Sequence, residues 1–287
     1  MKSKIYDVKI GIIGGTGSDI ALNNIEEIKV YTPFGHTSSQ IQLGDYKGKK
    51  VAYIPRHGIG HTIPPHKINY RANIWALKEL GVKFLISPSA VGSLKSEYNK
   101  GKFLIIDQYI DRTKKRKETF YEGGQLCHIS QVNPYCKYLN DLFFEIGRHI
   151  NLDIQKGGTY VCIEGPRFST RAESKMFRLW NGDVIGMTTY PEVVLAAEKE
   201  ICYCCIAMVT DLDVWAAECP NCGIVEYAQK CSICGGKVNE LSVSVPEVLE
   251  TMAQNAENLR KLLEVSLEKL DIERDCACHH TLKDALL

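Results

Sequence analysis

None of the apolar runs in the 287 residues approaches the ~18 consecutive residues that a membrane-spanning helix needs. The opening segment MKSKIYDVKIGIIGG also lacks the apolar core of about 7–15 residues of a secretory signal, because charges interrupt each short run. An excess of one charge is missing too. With 35 basic and 34 acidic residues the net charge is +1, so no overall field draws the chain to nucleic acid or to a membrane surface. A small anion would have to be met by local donors. Internal repeats and low-complexity tracts are absent. These absences place the chain in the cytoplasm, with neither nucleic acid nor membrane as partner. Thiols stay reduced there, so its twelve cysteines call for metal or redox chemistry before structural disulfides.

What is present suffices for one large core, since 45% of the residues are hydrophobic. Short apolar runs at 8–13, 51–54, 84–86, 104–106, 160–163, 184–185 and 201–209 have strand character, and helix-like segments at 70–80, 171–180 and 191–200 lie between several of them. This alternation predicts an α/β fold on a mixed, largely parallel sheet flanked by helices. Within 243–270, Val245, Val248, Leu249, Met252, Leu259, Leu262, Leu263 and Leu267 follow helical spacing, broken by a polar stretch near Asn255. Residues 216–241, rich in glycine and cysteine, change the texture just before that helix. The expectation is a single domain, 1–287, with a small insertion at 216–241.

Several strand ends carry anion-binding chemistry. Gly14-Gly15-Thr16-Gly17-Ser18 can bring backbone N–H groups and a hydroxyl onto an anion. It lacks both the Gly-Lys-Ser/Thr of a phosphate loop and the third glycine of a dinucleotide fingerprint, and taken alone it reads equally as a tight structural turn. In Pro55-Arg56-His57-Gly58, Arg can grip a phosphate bidentately and His can donate a further charge-assisted bond. Pro88-Ser89-Ala90-Val91-Gly92-Ser93 and Gly186-Met187-Thr188-Thr189 add hydroxyls. Any one of these could instead cap a helix, whereas several together form the rim on which α/β enzymes build sites.

The segment AMVTDLDVW (207–215) sets Asp211 and Asp213 two residues apart past an apolar strand, where both face one side if the strand continues. In a desolvated pocket one carboxyl can protonate a leaving group while the other accepts from an amino group. The alternative is a turn aspartate beside a helix cap.

The stretches GIIGGTGSD (11–19), TPFG (32–35), RHGIGHTIPPHKINYRANIWALKELG (56–81), IIDQYIDRT (105–113), IEGPRFSTRAES (163–174), GMTTYPEVVLA (186–196) and IAMVTDLDVW (206–215), with an echo in VSVPEVL (243–249), resemble the methylthioadenosine phosphorylases. These belong to the trimeric family that also contains purine nucleoside phosphorylases. The resemblance implies a nucleoside phosphorylase-like fold, a homotrimer or a dimer of trimers, and a pentosyltransferase with no catalytic cofactor. The implied reaction is reversible phosphorolysis of 5'-methylthioadenosine to adenine and 5-methylthioribose 1-phosphate. Phosphate would meet Thr16, Arg56, His57, Ser89, the backbone of Ala90, and Thr188. Met187 would lie under the ribose, with Phe168, Ser169 and Leu212 at the purine, and Asp211 and Asp213 would read the base and activate its departure. Val245, Val248 and Leu249 match the apolar pocket for the methylthio group, and equally the core stripe of a helix. His128 resembles a residue that reaches into a neighbouring subunit's pocket.

The nearest rival is a phosphorylase of 6-oxopurine nucleosides or methylthioinosine. Against it, the base-reading segment has two Asp and no Asn, and an ionised carboxylate cannot donate to a 6-oxo group. A non-catalytic zinc-ribbon binding protein is a second class; residues 219–237 hold only Lys230 and Lys237 as cations, too few for a nucleic-acid face.

Cys219-x-x-Cys222 and Cys231-x-x-Cys234, each followed by glycine, can set four thiolates around a structural zinc, with iron or a redox dithiol pair as alternatives. The segment departs from the family, which passes from the equivalent of Trp215 to the helix by a shorter link. Cys276-Ala-Cys278-His279-His280 resembles the C-x-C near the ends of some heat-stable relatives, where disulfides occur, and reads also as a loose metal-binding tail. Cys202, Cys204 and Cys205 lie in an apolar strand and are expected as buried thiols, not ligands. Cys136 could pair with one of them only if the compartment or growth temperature favours disulfides, and no such bond is assigned.

Overall fold

The computed structural model describes residues 6–15, 20–226 and 228–287. The chain opens with β1 (Ile10–Gly14), β2 (Asn23–Ile28), β3 (Ile41–Tyr46) and β4 (Lys49–Pro55), then α1 (Tyr70–Glu79), β5 (Phe84–Ser93), β6 (Phe103–Ile105) and β7 (Gln108–Arg112). Next come α2 (Lys137–His149), β8 (Ile154–Lys156), β9 (Thr159–Ile163), α3 (Arg171–Leu179), β10 (Val184–Gly186), α4 (Thr189–Glu198) and β11 (Cys202–Asp211). Short strands β12 (Ala217–Glu218), β13 (Val225–Glu226) and β14 (Asn239–Glu240) precede α5 (Val245–Lys269).

One sheet takes eleven strands in the order β2-β3-β4-β1-β5-β10-β9-β7, with β11 pairing β5 and β6, and β8 pairing β6. Its centre is parallel: β1 lies parallel to both β4 and β5, and β11 parallel to β5. The β2-β3-β4 meander and the β5–β10 and β6–β11 pairs are antiparallel, which makes the sheet mixed as expected. Alternate residues of β11 enter two cores. Tyr203, Cys205, Ala207 and Val209 pack with Leu77 of α1 and Val193 of α4, while Cys202, Cys204, Ile206 and Met208 pack with Phe143 of α2 and Leu263 of α5. With helices on both faces every residue of β11 is buried, which is why its sequence reads as an unbroken apolar run.

β5 changes neighbour along its length. Phe84–Ile86 lie beside β1, and Gly92 and Ser93 lie beside β10 on the same edge, while β11 follows the other edge from Phe84 to Gly92. Between the two neighbours the edge parts, and a strand crossing such a fork is where an open α/β sheet forms a crevice. β11 bulges between Val209 and Asp211, a device that re-aims side chains beside such crevices. The polar stretch near Asn255 does not break α5: Asn255 is buried and its Nδ2 donates to Val209 O at 3.4 Å, so it serves the end of β11. β12, β13 and β14 form a separate three-stranded sheet. Among the described residues no helix is long and apolar enough to cross a membrane.

Candidate active site

A cleft opens at the fork of β5. It is lined by Arg56, His57, Ser89, Ala90, Phe168, Ser169, Met187, Thr188, Asp211, Asp213 and Val248, so most of the residues singled out in sequence meet there. Thr16 lies outside the described residues.

Arg56 leaves the end of β4 fully buried. Its Nε donates to Glu192 Oε1 at 2.5 Å, and its Nη2 to Glu192 Oε2 at 3.3 Å, to Ser87 Oγ at 2.6 Å and to Ile13 O at 3.1 Å. The expected bidentate grip on an anion is thereby corrected, because the fork is closed on Glu192. Nη1, which donates to Pro88 O at 3.2 Å, is the nitrogen left to serve the cleft. A Cβ on Gly15 would stand 2.7 Å from it, so only glycine lets the β1 turn approach the guanidinium. Burial alone would weaken the Arg56 cation; Glu192 overcomes this and raises its pKa.

His57 departs from expectation as well. Its Nδ1 donates to Ile63 O at 2.8 Å, which leaves Nε2 of the neutral ring as an acceptor. Burial, the Arg56 cation and the stacked His61 ring bring its pKa from 6.5 down to about 4. At neutral pH the ring is therefore uncharged, and it presents a lone pair where a charge-assisted donor was expected. Beside it the hydroxyls gather: Ser89 Oγ lies 3.1 Å from Tyr160 Oη and 3.3 Å from Thr188 Oγ1.

Asp211 and Asp213 both line the cleft, but not by strand alternation. The strand ends at Asp211, Leu212 turns (φ −99°, ψ 25°) and Asp213 takes φ 49° at the start of a 3-10 turn. This folds the Asp213 N–H back onto Asp211 Oδ1 at 2.8 Å, an aspartate turn that tolerates the left-handed residue. Thr210 Oγ1 donates to Asp211 Oδ2 at 2.8 Å. The two oxygens of Asp213 accept from Ser169 Oγ at 2.6 Å and Ser174 Oγ at 2.5 Å. Burial raises the pKa of both carboxyls. A Cβ on Gly92 would lie 2.8 Å from Asp211 Oδ1, so the glycine at the end of β5 makes room for the pair.

Other expected members lie elsewhere. Leu212 packs against the apolar cluster that contains Trp215 and Phe177, and does not line the cleft. Of the three α5 residues only Val248 does, Val245 and Leu249 being 57% and 51% exposed. His128 is exposed and away from this chain's own cleft, on a loop whose backbone pairs with residues 285–287: His128 N donates to Ala285 O and Leu287 N to Leu126 O. Ser174 and Glu192 were not anticipated as site residues. Glu192 stands in the otherwise apolar run 190–197, and a carboxylate there must be paired. Ser174 offered no such signal.

The four knuckle thiols converge. The Sγ atoms of Cys219, Cys222, Cys231 and Cys234 all lie within 4.8 Å of one another, Cys219 and Cys234 at 3.6 Å. Gly223 and Gly235 take φ 67° and 69° and donate N–H to Cys219 O and Cys231 O, closing two equivalent turns. This donor set fits a tetrahedral thiophilic ion. Cys202 is a buried thiol as expected, yet it also joins a second thiol cluster with Cys136, Cys276 and Cys278.

The family model described as phosphorylase superfamily matches residues 9–268, and the chain belongs to that superfamily. Within it, the S-methyl-5'-thioadenosine phosphorylase of Thermofilum pendens is 48% identical over 98% of this chain and 99% of its own, and that of Pyrococcus horikoshii 49% identical over 96% and 98%. A methylthioadenosine phosphorylase from an antarctic soil metagenomic library superposes with a TM-score of 0.84 at 38% identity, covering 98% of this chain and 93% of that one. The Schistosoma mansoni methylthioadenosine phosphorylase in complex with adenine gives 0.82 at 30% identity, covering 97% and 99%. The chain is thus a member of the methylthioadenosine phosphorylase family.

Proposed function

We propose that this chain catalyses reversible phosphorolysis of 5'-methylthioadenosine to adenine and 5-methylthioribose 1-phosphate. The observation that carries the reading is the juxtaposition in one cleft of two buried carboxyls with raised pKa, Asp211 and Asp213, and an anion-receiving group of Arg56, His57, Ser89 and Thr188. The Schistosoma relative binds adenine, and a mutant of it binds methylthioadenosine.

In this reading phosphate sits against Arg56 Nη1, the Ser89 and Thr188 hydroxyls and the Ala90 backbone, and its remaining P–OH donates to His57 Nε2. Phosphate oxygen attacks the anomeric carbon as the C–N bond opens, its negative charge stabilising the positive charge that builds on the sugar. The bonding pair leaves with the base, and Asp211, whose carboxyl pKa is raised by burial, supplies the proton at N7. Asp213, held by Ser169 and Ser174, accepts from the exocyclic amino group. Met187 lies under the ribose, Phe168 borders the purine, and Val248 faces the methylthio group. Cys219, Cys222, Cys231 and Cys234 hold a structural zinc, whose closed thiolate shell takes no part in the reaction. The assembly is a homotrimer in the cytoplasm, in which His128 serves a neighbouring cleft.

The test offers methylthioadenosine, adenosine, methylthioinosine, inosine and guanosine side by side with phosphate. Methylthioadenosine should give the highest kcat/KM, and a faster 6-oxopurine substrate would sink the adenine reading.

A further inference from the structure

Far from the cleft's carboxylates, and separate from the two knuckles, four thiols from three parts of the chain meet. Cys136 precedes α2, Cys202 begins β11, and Cys276 and Cys278 follow α5. Their Sγ atoms all lie within 4.8 Å of one another, Cys136 and Cys276 at 3.6 Å. Sulfurs bound to one tetrahedral zinc at about 2.3 Å stand about 3.8 Å apart, so the cluster is the size that a single ion requires. Cys136 and Cys202 are buried and the other two half-buried, which closes the site to solvent on the core side.

The surroundings are arranged to receive thiolates. His279 Nδ1 accepts the Cys276 N–H at 3.4 Å, which turns the Nε2–H edge of the ring to Cys202 Sγ, 3.4 Å away. Cys276 Sγ in turn accepts the backbone N–H of His279. Donors aimed at sulfur orient metal-bound thiolates and spread their charge.

We propose that Cys136, Cys202, Cys276 and Cys278 form a second, structural site for a divalent thiophilic ion of the zinc class. Four thiols give up four protons as the ion binds, no oxidant is needed, and the closed shell leaves no open position for chemistry. The ion ties the segment after α5 to α2 and β11. Residues 285–287 of that segment pair with the loop bearing His128, so the site also anchors that loop.

The test uses the full chain carrying C222S/C234S, substitutions at two exposed knuckle thiols that leave the second cluster intact, produced with zinc and kept reduced. Elemental analysis should find one zinc per chain, and cobalt in its place should give the ligand-field spectrum of a tetrahedral four-thiolate ion. Adding C276S/C278S should remove the metal. If that variant does not fold, the zinc count and cobalt spectrum of C222S/C234S decide. A metal-free C222S/C234S protein overturns the proposal, as does metal retained after C276S/C278S. So does a titration of the denatured C222S/C234S protein, with chelator but without reductant, in which only six of its ten cysteines (twelve less two) react, the signature of two disulfides. None of these readouts depends on the proposed catalytic activity.

Discussion

The Nε–H of Arg56 donates to Glu192 Oε1 at 2.5 Å, and both side chains are only 1% exposed. Ser87 Oγ and Tyr203 Oη add hydrogen bonds to Glu192 Oε2 at 2.9 and 3.0 Å, so the carboxylate is fully engaged within the core. The pair sets the cation beneath the cleft in one orientation. Removing one partner of a buried pair strands the other charge, so Glu192→Ala should lower unfolding stability by about 3–5 kcal/mol in urea titrations. A loss under about 1 kcal/mol, the range of solvent-screened pairs, would mean that the native state hydrates Arg56 without Glu192.

His57 gives a pH signature. Its folded pKa of about 4 lies below the ordinary 6.5, so between these values the unfolded chain binds more protons than the native one. Stability contributed by this group therefore rises with pH through that window and falls as pH is lowered from 6.5 towards 4. Relative to wild type, His57→Asn should flatten this limb. Saturating phosphate should also flatten it in the wild-type protein, because a bound anion favours the imidazolium. Thermal unfolding from pH 4 to 7, with and without phosphate, reads both effects, and identical limbs in the two proteins would remove His57 as their cause.

Asp211 and Asp213 should separate by their responses. Asp211→Asn keeps a hydrogen-bond donor but loses the transferable proton, and should lower kcat by about 10²–10⁴-fold. Ser174→Ala removes one of the hydroxyls that hold the Asp213 pKa down against its burial, so that pKa should rise further. The acidic limb of kcat/KM, where Asp213 must be ionised, should then move to higher pH. Unchanged turnover in Asp211→Asn removes the acid role, and an unmoved limb in Ser174→Ala removes Asp213 from base recognition.

Selectivity at the sugar's 5' end should follow Val248, the α5 residue that lines the cleft. An apolar wall leaves a hydroxyl unpaired, so Val248→Asn should shift the adenosine to methylthioadenosine ratio of kcat/KM towards adenosine by about tenfold, the effect of one recovered hydrogen bond. The same substitution at Leu249, half exposed, should leave the ratio unchanged.

Legibility in the sequence followed unbroken apolar runs: β3 (Ile41–Tyr46), largely buried but with a glycine and an aspartate among its apolar residues, gave no such run. The seven apolar runs all became strands because burial on both sheet faces leaves an unbroken hydrophobic signature, as in β11. β2 was missed, since five of its six residues are exposed and it is held as a strand by its pairing with β3. The cleft residues were legible as strand-end polar groups. Their arrangement was not: Arg56 turned its fork to a glutamate 136 residues away, and Asp213 reached the cleft through a left-handed turn. Both outcomes depend on tertiary partners that no local pattern encodes. Cys202 likewise fitted the pattern of an apolar strand, and only the fold brings Cys136, Cys276 and Cys278 beside it.

Phosphorolysis itself is tested most directly by incubating the full chain with 5'-methylthioadenosine, with and without inorganic phosphate, while following adenine by absorbance and sugar phosphate by phosphorus NMR. Adenine should appear only with phosphate, accompanied by one 5-methylthioribose 1-phosphate for each adenine released. Adenine released without phosphate, or free methylthioribose formed in its presence, would contradict the account.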